Sequence, residues 1–314
     1  MKLFVTGGAG FIGSTFIRYT LSLDKGFSIV NFDKLTYAGN LANLNSVSNN
    51  PNYKFIKGDI CDVSAAETAM EGCHAVVHFA AESHVDRSIS QPADAVRTNV
   101  TGTFVLLQAA RQLQIQRFIH VSSDEVYGDI PPASFSDENS PLRPSSPYSA
   151  SKAASDLLVL SFVRTYAFPA LITRSSNNYG PHQGLEKFLP LMIVSACNDK
   201  PLPIYGDGLQ QRNWIHVEDN CRAILAVLER GSEGHVYNIG GFDVKDNLTM
   251  ARNLLTMMGK PENLISHVPD RPGHDRRYAL NSDKIQRELN WKPVVPLNKG
   301  LQQTIDWYRT NRAG

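Results

Sequence analysis

The sequence TGGAGFIGS, residues 6–14, decides the fold of this chain. It follows the apolar run LFV and places Gly7, Gly10 and Gly13 at regular intervals. Glycines with this spacing permit a tight turn, a close approach of the backbone to a pyrophosphate, and close packing of the next helix on a sheet. The N-terminus of that helix favours negative charge. The motif therefore predicts a strand, a dinucleotide-binding turn and a helix; the alternative is a glycine-rich turn that binds no ligand.

Outward from this motif, short runs rich in β-branched residues alternate with helical patterns through the first half of the chain. Such alternation predicts an α/β fold with a doubly wound, parallel Rossmann-type sheet, whose ligands lie beyond the carboxyl ends of the strands. The predicted strands are KLFVTG (2–7), SIVNFD (28–33), YKFIKGD (53–59), AVVHFAA (75–81), RFIHVSS (117–123) and the beginning of ALITRSSNNYGP (170–181).

The second half of the chain breaks this alternation and is richer in proline and glycine, which predicts a smaller, discontinuous C-terminal substrate-binding domain. The segment NWIHVEDNCRAILAVLERG (213–231) is typical of a strand and a helix that return to the main sheet. We therefore expect a cofactor domain over residues 1–173 and about 214–240. Residues 174–213 and 241–314 would then form the substrate domain.

Composition and charge limit the classes of partner. Apolar residues make up 42% of the chain and charged residues 19%, which predicts a large core and little disorder. A formal net charge of +1 gives no reason to expect nucleic acid or an anionic membrane as a partner. Four scattered cysteines and a very short N-terminal apolar run favour a reduced, cytoplasmic protein without a signal peptide. The histidines show no metal-ligand spacing, so we expect no metal.

Acidic residues follow the second and third predicted strands, where a dinucleotide would lie. Asp33 can bind both ribose hydroxyls, and its charge favours NAD over NADP, whose 2′-phosphate it would repel. The neighbouring Lys34 works against that preference. Asp59 and Ile60 are positioned to bracket the adenine, although a plain turn is the alternative. The sequence therefore predicts NAD as the cofactor.

A tyrosine and a lysine share one helical face in PSSPYSASKAASD, residues 144–156. Pro147 can open a helix, and Tyr148 and Lys152 lie four residues apart within it. A tyrosine that acts as a base near neutral pH needs its phenolate stabilised by several kcal/mol. A nearby ammonium and the positive charge of a nicotinamide could supply this. With Ser122 and Ser123 available for a substrate hydroxyl, the pattern favours catalysis over a surface pair.

The glycine motif, the upstream serines and the YxxxK pattern resemble the extended short-chain dehydrogenase/reductase family, and within it the nucleotide-sugar 4,6-dehydratases. The resemblance runs along the whole chain. The stretches that carry it are TGGAGFIGS, DKLTYAGN, HFAAESHVDRSI, TNVTGT, SSDEVYG, PYSASKAASD, RSSNNYGP, EKFLPL, PLPIYGDG and RPGHDRRY.

The resemblance implies a reaction that an adjacent acid pair would explain. Oxidation of a sugar at C4 acidifies the C5 proton, and loss of water then requires one base and one acid with separated pKa values. The resemblance implies Asp124 as the acid for the C6 hydroxyl and Glu125 as the base at C5. Burial and mutual repulsion of two such carboxyl groups could keep one of them protonated.

The expected substrate is dTDP-glucose, converted to its 4-keto-6-deoxy product and water, and UDP-glucose is the alternative. A nucleotide-sugar 4-epimerase or decarboxylase on the same scaffold is a second reading, which the pair Asp124–Glu125 disfavours. A dinucleotide-binding regulator without catalysis is a third reading, which the presence of Tyr148 and Lys152 disfavours.

The expected site residues fall into three sets. The catalytic set is Ser123, Asp124, Glu125, Tyr148 and Lys152. The cofactor set adds to Tyr148 and Lys152 the residues Gly7, Gly10, Phe11, Ile12, Gly13, Asp33, Lys34, Asp59, Ile60, Ala80, Ala81 and Thr98. The substrate set is Ser83, Ser123, Asn177, Glu186, Lys187, Pro203, Tyr205, Arg212, Asn247, Arg271, His274 and Tyr278, with Arg212 the preferred pyrophosphate ligand.

Two stretches depart from the family pattern. Ser123 stands where the dehydratases usually carry threonine, which keeps the hydroxyl and loses the methyl group. GPHQGLEK (180–187) differs from the more aromatic stretch usual before Glu-Lys, and leaves the sugar or nucleotide preference open. The resemblance also implies a homodimer through helices near residues 103–112 and 151–166, where the apolar pattern is equally compatible with a core face.

Overall fold

The computed structural model describes residues 1–311 and is built around one large parallel sheet. The strands are β1 (Lys2–Thr6), β2 (Ser28–Asp33), β3 (Tyr53–Lys57), β4 (Ala75–His78), β5 (Arg117–Ser123), β6 (Ala170–Ser175), β7 (Asn177–Tyr179), β8 (Leu202–Tyr205), β9 (Gln211–His216), β10 (Val236–Ile239), β11 (Asp243–Asp246) and β12 (Ile265–Val268). Seven of them form the main sheet in the order β10-β6-β5-β4-β1-β2-β3, and all six pairings are parallel. The predicted α/β fold with a doubly wound parallel sheet is confirmed.

Helices cover both faces of this sheet. They are α1 (Phe11–Ser22), α2 (Val63–Met70), α3 (Val85–Ser90), α4 (Pro92–Ala95), α5 (Thr103–Gln112), α6 (Pro147–Tyr166), α7 (Phe188–Cys197), α8 (Val217–Arg230), α9 (Asn247–Met258), α10 (Asp283–Leu289) and α11 (Leu297–Thr310). Short 3₁₀ turns span Leu41–Val47, Asp124–Tyr127 and Glu262–Leu264, and a π-helical turn spans Val96–Gly102. No helix within residues 1–311 is both long and apolar enough to cross a membrane.

Alternate residues of each central strand supply two separate cores. In β1, Leu3 and Val5 belong to the core beneath α1 and α8, whereas Phe4 belongs to the core beneath α2, α5 and α6. Because both faces of such strands are buried, their sequences are apolar at successive positions. This explains why the continuous runs in the sequence predicted β1 to β6 correctly.

The strand order reverses between β1 and β4, and a crevice opens there at the carboxyl ends of the strands. Gly7 follows β1 with a φ of +69°, and a Cβ on it would lie 2.5 Å from the backbone nitrogen of Ala80, which follows β4. A side chain at Gly7 would therefore close the crevice and strain the backbone.

A second group of strands and helices packs beyond the carboxyl ends of the main sheet. β9 pairs with β11 and β7 in a three-stranded sheet, and β8 pairs with β12. Their apolar residues form a separate core with α7, α9 and α11. The strand predicted at the beginning of 170–181 is β6, and the short strand β7 lies in the part that was expected to be a loop, because the chain leaves the main sheet there and pairs with β9.

The prediction that the strand at residue 213 returns to the main sheet is wrong. β9 stays in the three-stranded sheet, where Trp214 packs on Tyr179 and Phe188, and only α8 and β10 return. The reason is visible in the sequence of β9, since Arg212 and Asn213 are polar and a central strand of a parallel sheet is apolar on both faces.

One buried ion pair joins α6 to β6 beneath the crevice. Asp156 is fully buried and accepts a hydrogen bond from Arg174 Nε at 2.8 Å, while His120 Nε2 lies 3.4 Å from its other oxygen. We expect Asp156→Asn to leave the guanidinium without a counter-charge and to lower the free energy of unfolding by about 3–5 kcal/mol in urea titrations. Glu262→Gln, which breaks the exposed Arg252–Glu262 pair, is the matched control and should leave the midpoint unchanged. Equal midpoints for the two variants would contradict this reading.

Candidate functional site

A cavity of about 770 Å³ occupies the crevice at the carboxyl ends of β1 to β6. All twelve further residues of the cofactor set and all five of the catalytic set line it, together with Ser83, Asn177, Glu186 and Lys187. The sequence therefore identified side chains that meet in one place, although they come from many separate segments.

The glycine turn leaves room for a phosphate group against the first helix. A Cβ on Gly13 would lie 2.3 Å from the carbonyl oxygen of Gly7, so the turn and α1 are in direct backbone contact. Gly10 precedes α1, whose N-terminus carries partial positive charge and points its first N–H groups to this turn. The backbone is thus shaped to receive a pyrophosphate.

Asp33 is held rigidly at the end of β2. Its Oδ2 accepts from the Ala9 N–H and its Oδ1 from the Leu35 N–H, both at 2.8 Å. Burial raises the pKa of Asp33, and these two N–H groups oppose the shift. Each oxygen keeps a lone pair for a ribose hydroxyl. Together with the glycine turn, this carboxylate fits NAD.

Ser123 organises the acid pair at the end of β5. Its Oγ accepts from the Glu125 N–H at 3.2 Å and donates to Asp124 Oδ1 at 3.3 Å, which caps the turn Asp124–Tyr127. These hydrogen bonds hold the Asp124 carboxyl group and the backbone of Glu125 in place. Asp124 is 3% exposed and Glu125 is half-buried, and both face the cavity.

Burial raises the pKa of both carboxyl groups. Burial, and then the charge of Glu125, raise the pKa of Asp124 to about 8. Burial also raises the pKa of Glu125, and the charges of Arg271, Arg212 and Lys187 oppose that shift. Asp124 therefore keeps its proton near neutral pH, and burial contributes more to this than the charge of Glu125 does.

Tyr148 and Lys152 lie on the first turns of α6, as predicted. Ser146 and Ser149 form a capping box around Pro147, so the helix begins one residue before Tyr148. Lys152 is buried, and its Nζ donates to the carbonyl of Val121 at 2.8 Å. Burial lowers the pKa of Lys152 to about 8.

The expectation that a nearby ammonium stabilises the Tyr148 phenolate is not met by the protein alone. Burial, followed by the charge of Glu125, raises the pKa of Tyr148 far above its usual range, and only the Ser123 hydroxyl clearly opposes this. The physical reason is that Lys152 directs its ammonium to Val121 rather than to the phenol.

Seven residues of the substrate set lie outside the cavity lining, within the second group of strands and loops. They are Pro203, Tyr205, Arg212, Asn247, Arg271, His274 and Tyr278. Arg212 is buried, stacks 4.3 Å from the centre of the Tyr278 ring and lowers the pKa of both Asp124 and Glu125, so it lies close behind the acid pair. Pro203 is an internal residue of β8, and Asn247 begins α9.

Asp86 is a neighbour of this region that the sequence analysis missed. Its two oxygens contact Arg271 Nη1 at 3.3 Å and the Tyr205 hydroxyl at 3.2 Å. Lys187 Nζ donates to the carbonyl of Ser83 at 2.6 Å in the same region. The acid of the stretch HVDRSI was visible, but its partners lie far away in sequence, so no local pattern could reveal them.

Similarity to a known protein family extends over nearly the whole chain. A sequence profile described as GDP-mannose 4,6 dehydratase matches residues 4–304. The chain belongs to this family. It is accordingly an extended short-chain dehydrogenase/reductase, as the glycine motif and the Tyr148–Lys152 pair predicted.

Several relatives that match this chain over nearly their full lengths are named dehydratases. A dTDP-glucose 4,6-dehydratase of Streptomyces niveus is 48% identical, over 100% of this chain and 94% of that protein. The enzyme of the same name from Haemophilus influenzae is 49% identical, with 99% and 98% covered. The crystal structure of DesIV, a dTDP-glucose 4,6-dehydratase from Streptomyces venezuelae with NAD and TYD bound, is 46% identical, covers 99% and 98%, and superposes with a TM-score of 0.98.

The stretch 180–187, whose sequence differs from the usual family pattern, also has an unusual backbone conformation. His182 has a φ of +70°, its ring lies 4.6 Å from that of Trp307, and its Nδ1 lies 3.1 Å from Asn43 Oδ1. Burial, and then the charge of Arg18, lower the pKa of His182 to about 4, so the ring is neutral near pH 7. His182 was missed as a cavity-lining residue, although the unusual stretch was the signal.

The raised pKa of Asp124 makes stability depend on pH. The unfolded chain releases this proton near pH 3.8 and the folded chain near pH 8, so between these values the native state binds more protons and stability falls as pH rises. We expect Asp124→Asn to raise the urea midpoint at pH 8 and to raise it less at pH 5.

The matched control for this prediction is Asp24→Asn, which removes a carboxyl group from an exposed turn. Its midpoint should follow that of the unmodified protein at both pH values. A stabilisation by Asp124→Asn that is the same at pH 5 and pH 8 would contradict the assignment of the raised pKa.

Proposed function

We propose that this protein is a dTDP-glucose 4,6-dehydratase, which converts dTDP-glucose to dTDP-4-keto-6-deoxyglucose and water. The observation that carries the proposal is that a protonated Asp124 and the neighbouring Glu125 line the same cavity as Tyr148 and the glycine turn. Oxidation alone would need no such acid pair, whereas elimination of water needs both an acid and a base. The names of the relatives support the same conclusion.

NAD fits as the cofactor, held by the glycine turn at its pyrophosphate, by Asp33 at a ribose and by Asp59 and Ile60 beside the adenine. When bound, NAD⁺ supplies the hydride acceptor and donor and adds a positive charge beside the Tyr148 phenol. That added charge would lower the pKa of a phenol that the protein alone holds high.

The protein residues then have separate proton tasks. Tyr148, whose pKa the nearby Ser123 hydroxyl lowers, takes the proton of the C4 hydroxyl, and Lys152 anchors the start of α6 to β5 through the Val121 carbonyl. Glu125 takes the C5 proton, which the new C4 ketone has made acidic. Asp124 gives its proton to the departing C6 hydroxyl. A pKa of about 8 suits Asp124 for this task, because it carries a proton at neutral pH and can still release it.

The substrate residues are proposed to hold a sugar diphosphate between the two groups of strands. Lys187 and Arg212 are buried or half-buried cations near Glu125, which suits a pyrophosphate. We assign Ser83, Asn177 and Glu186 to the sugar. Arg271 is a further candidate for the pyrophosphate, and the residues assigned to the nucleotide end are Pro203, Tyr205, Asn247, His274 and Tyr278. We propose residues 1–173 and about 214–240 as the cofactor domain, to which α8 and β10 return, and 174–213 and 241–314 as the substrate domain.

A nucleotide-sugar 4-epimerase is the second candidate, because a UDP-glucose 4-epimerase of Thermotoga maritima superposes with a TM-score of 0.92 at 28% identity. Epimerisation at C4 requires oxidation and reduction at one carbon and no loss of water. A buried acid held in its protonated form beside a second carboxyl group has no task in that reaction. Asp124 and Glu125 therefore favour the dehydratase.

The decisive measurement is mass spectrometry and NMR of the product formed from dTDP-glucose and from UDP-glucose in D₂O. We expect loss of one water and uptake of one solvent deuterium at C5, with dTDP-glucose the better substrate. Glu125→Gln should lower turnover by about 10²–10⁴-fold, since a general base contributes in that range.

Glu71→Gln is the matched control, because Glu71 is exposed at the end of α2 and away from the cavity. Its turnover should equal that of the unmodified protein. A product isomeric with the substrate, or normal turnover of Glu125→Gln, would overturn the proposed dehydration.

We also propose a homodimer that buries the exposed apolar surface of α5 and α6. These two helices pack side by side and present Phe104, Leu157 and Tyr166, of which Leu157 is 59% exposed. An apolar patch of this kind typically marks an interaction surface.

We also propose a cytoplasmic location, which the four free cysteines support.

Leu157→Asp should convert the dimer to a monomer, because it would bury a charge in the apolar contact. Val294→Asp is the control, since Val294 is 55% exposed and lies outside α5 and α6. Sedimentation velocity distinguishes the two. A monomeric unmodified protein, or a dimer that survives Leu157→Asp, would contradict this surface.

A further inference from the structure

Two adjacent residues make opposite demands on the cofactor. Asp33 repels a 2′-phosphate on the adenosine ribose, whereas Lys34 would attract one. Both line the cavity, and so does Asp59, which follows the neighbouring strand β3. The contacts of Asp59 resolve this conflict.

One oxygen of Asp59 engages two cations. Its Oδ2 lies 2.9 Å from Lys34 Nζ and 2.8 Å from Arg97 Nη2, while its Oδ1 accepts from the Cys61 N–H at 2.9 Å. Burial alone would raise the pKa of Asp59, but the Cys61 N–H, Lys34 and Arg97 together lower it to about 2. Asp59 is therefore charged at every pH at which the protein would work.

The stability that these contacts provide is too small to explain the arrangement. The side chains of Lys34 and Arg97 are 49% and 57% exposed, and ion pairs of such exposure contribute little to folding. These ion pairs matter more for the charge near the cofactor than for folding stability. The carboxylate of Asp59 lies within 3 Å of both cations and directly offsets their positive charge.

We propose that Asp59 is a cofactor-specificity residue, which engages Lys34 and Arg97 so that they do not bind a ribose 2′-phosphate. This rests on the proposed binding of NAD. Asp33 excludes the 2′-phosphate directly, and Asp59 excludes it by occupying the cations that would otherwise hold it. Replacement of Asp33 alone is then insufficient to admit NADP⁺.

The test measures binding of NAD⁺ and NADP⁺ to the full chain by isothermal titration calorimetry. The key variant is Asp33→Ser with Asp59→Asn, which keeps an oxygen for the Cys61 N–H and releases both cations. Its matched control is Asp33→Ser with Asp62→Asn, which removes the same charge three residues away and keeps the α2 cap.

We expect the NADP⁺-to-NAD⁺ affinity ratio of the key variant to exceed that of the control by about 10-fold or more, the range of a charge-assisted hydrogen bond. Addition of Lys34→Gln to the key variant should remove most of this gain, and so should high salt. Equal ratios in the key variant and its control would overturn the proposal.

A second measurement covers the case in which Asp33→Ser prevents folding, since Asp33 holds two backbone N–H groups. In Asp59→Asn alone, the affinity for adenosine 2′,5′-bisphosphate relative to 5′-AMP should rise about 3- to 10-fold over the unmodified protein. An unchanged ratio would overturn the inference. Failure of the unmodified protein to bind NAD⁺ would instead overturn the proposed function, and this inference with it.

Discussion

A carboxyl group kept out of water at the end of a parallel strand determines how the rest of this site must be built. Asp124 would be ionised in solvent, and it retains its proton near neutral pH because β5 delivers it into the interior of the crevice. Such a group costs stability, so the elements around it must be rigid enough to keep it there. Ser123 fixes the turn, α6 closes one side, and the cores on both faces of the sheet hold β5 in place.

The same desolvation acts on Glu125, Tyr148 and Lys152, with opposite consequences for acids and bases. It raises the pKa of Glu125 and of Tyr148 and lowers that of Lys152. Glu125 and Tyr148 therefore hold their protons more tightly than they would in water, and Lys152 holds its proton less tightly. A positively charged cofactor entering this crevice would act on all of these groups at once, which gives the site a means to couple cofactor binding to protonation.

The sequence predicted the main sheet and the meeting of the catalytic residues because both depend on local signals. Continuous apolar runs marked β1 to β6, the glycine spacing marked the turn, and Pro147 marked the start of α6. The route of β9 was mispredicted, because the short apolar run of Trp214 and Ile215 fits more than one sheet, whereas the polar residues before it disfavour the main one. The contacts of Asp86 and Lys152 were also beyond reach, because a side chain's partner depends on packing between segments that are distant in sequence.

The connectivity of the main sheet has a consequence for how the chain is made. β6 ends at Ser175, yet its outer neighbour β10 begins only at Val236, after β7, β8 and β9 of the smaller sheets. During synthesis from the N-terminus, one apolar edge of the sheet therefore waits without a hydrogen-bonding neighbour until some sixty more residues have left the ribosome. An unpaired strand edge of this kind is a template for aggregation. The nascent chain thus passes through a period in which chaperone protection would be most valuable.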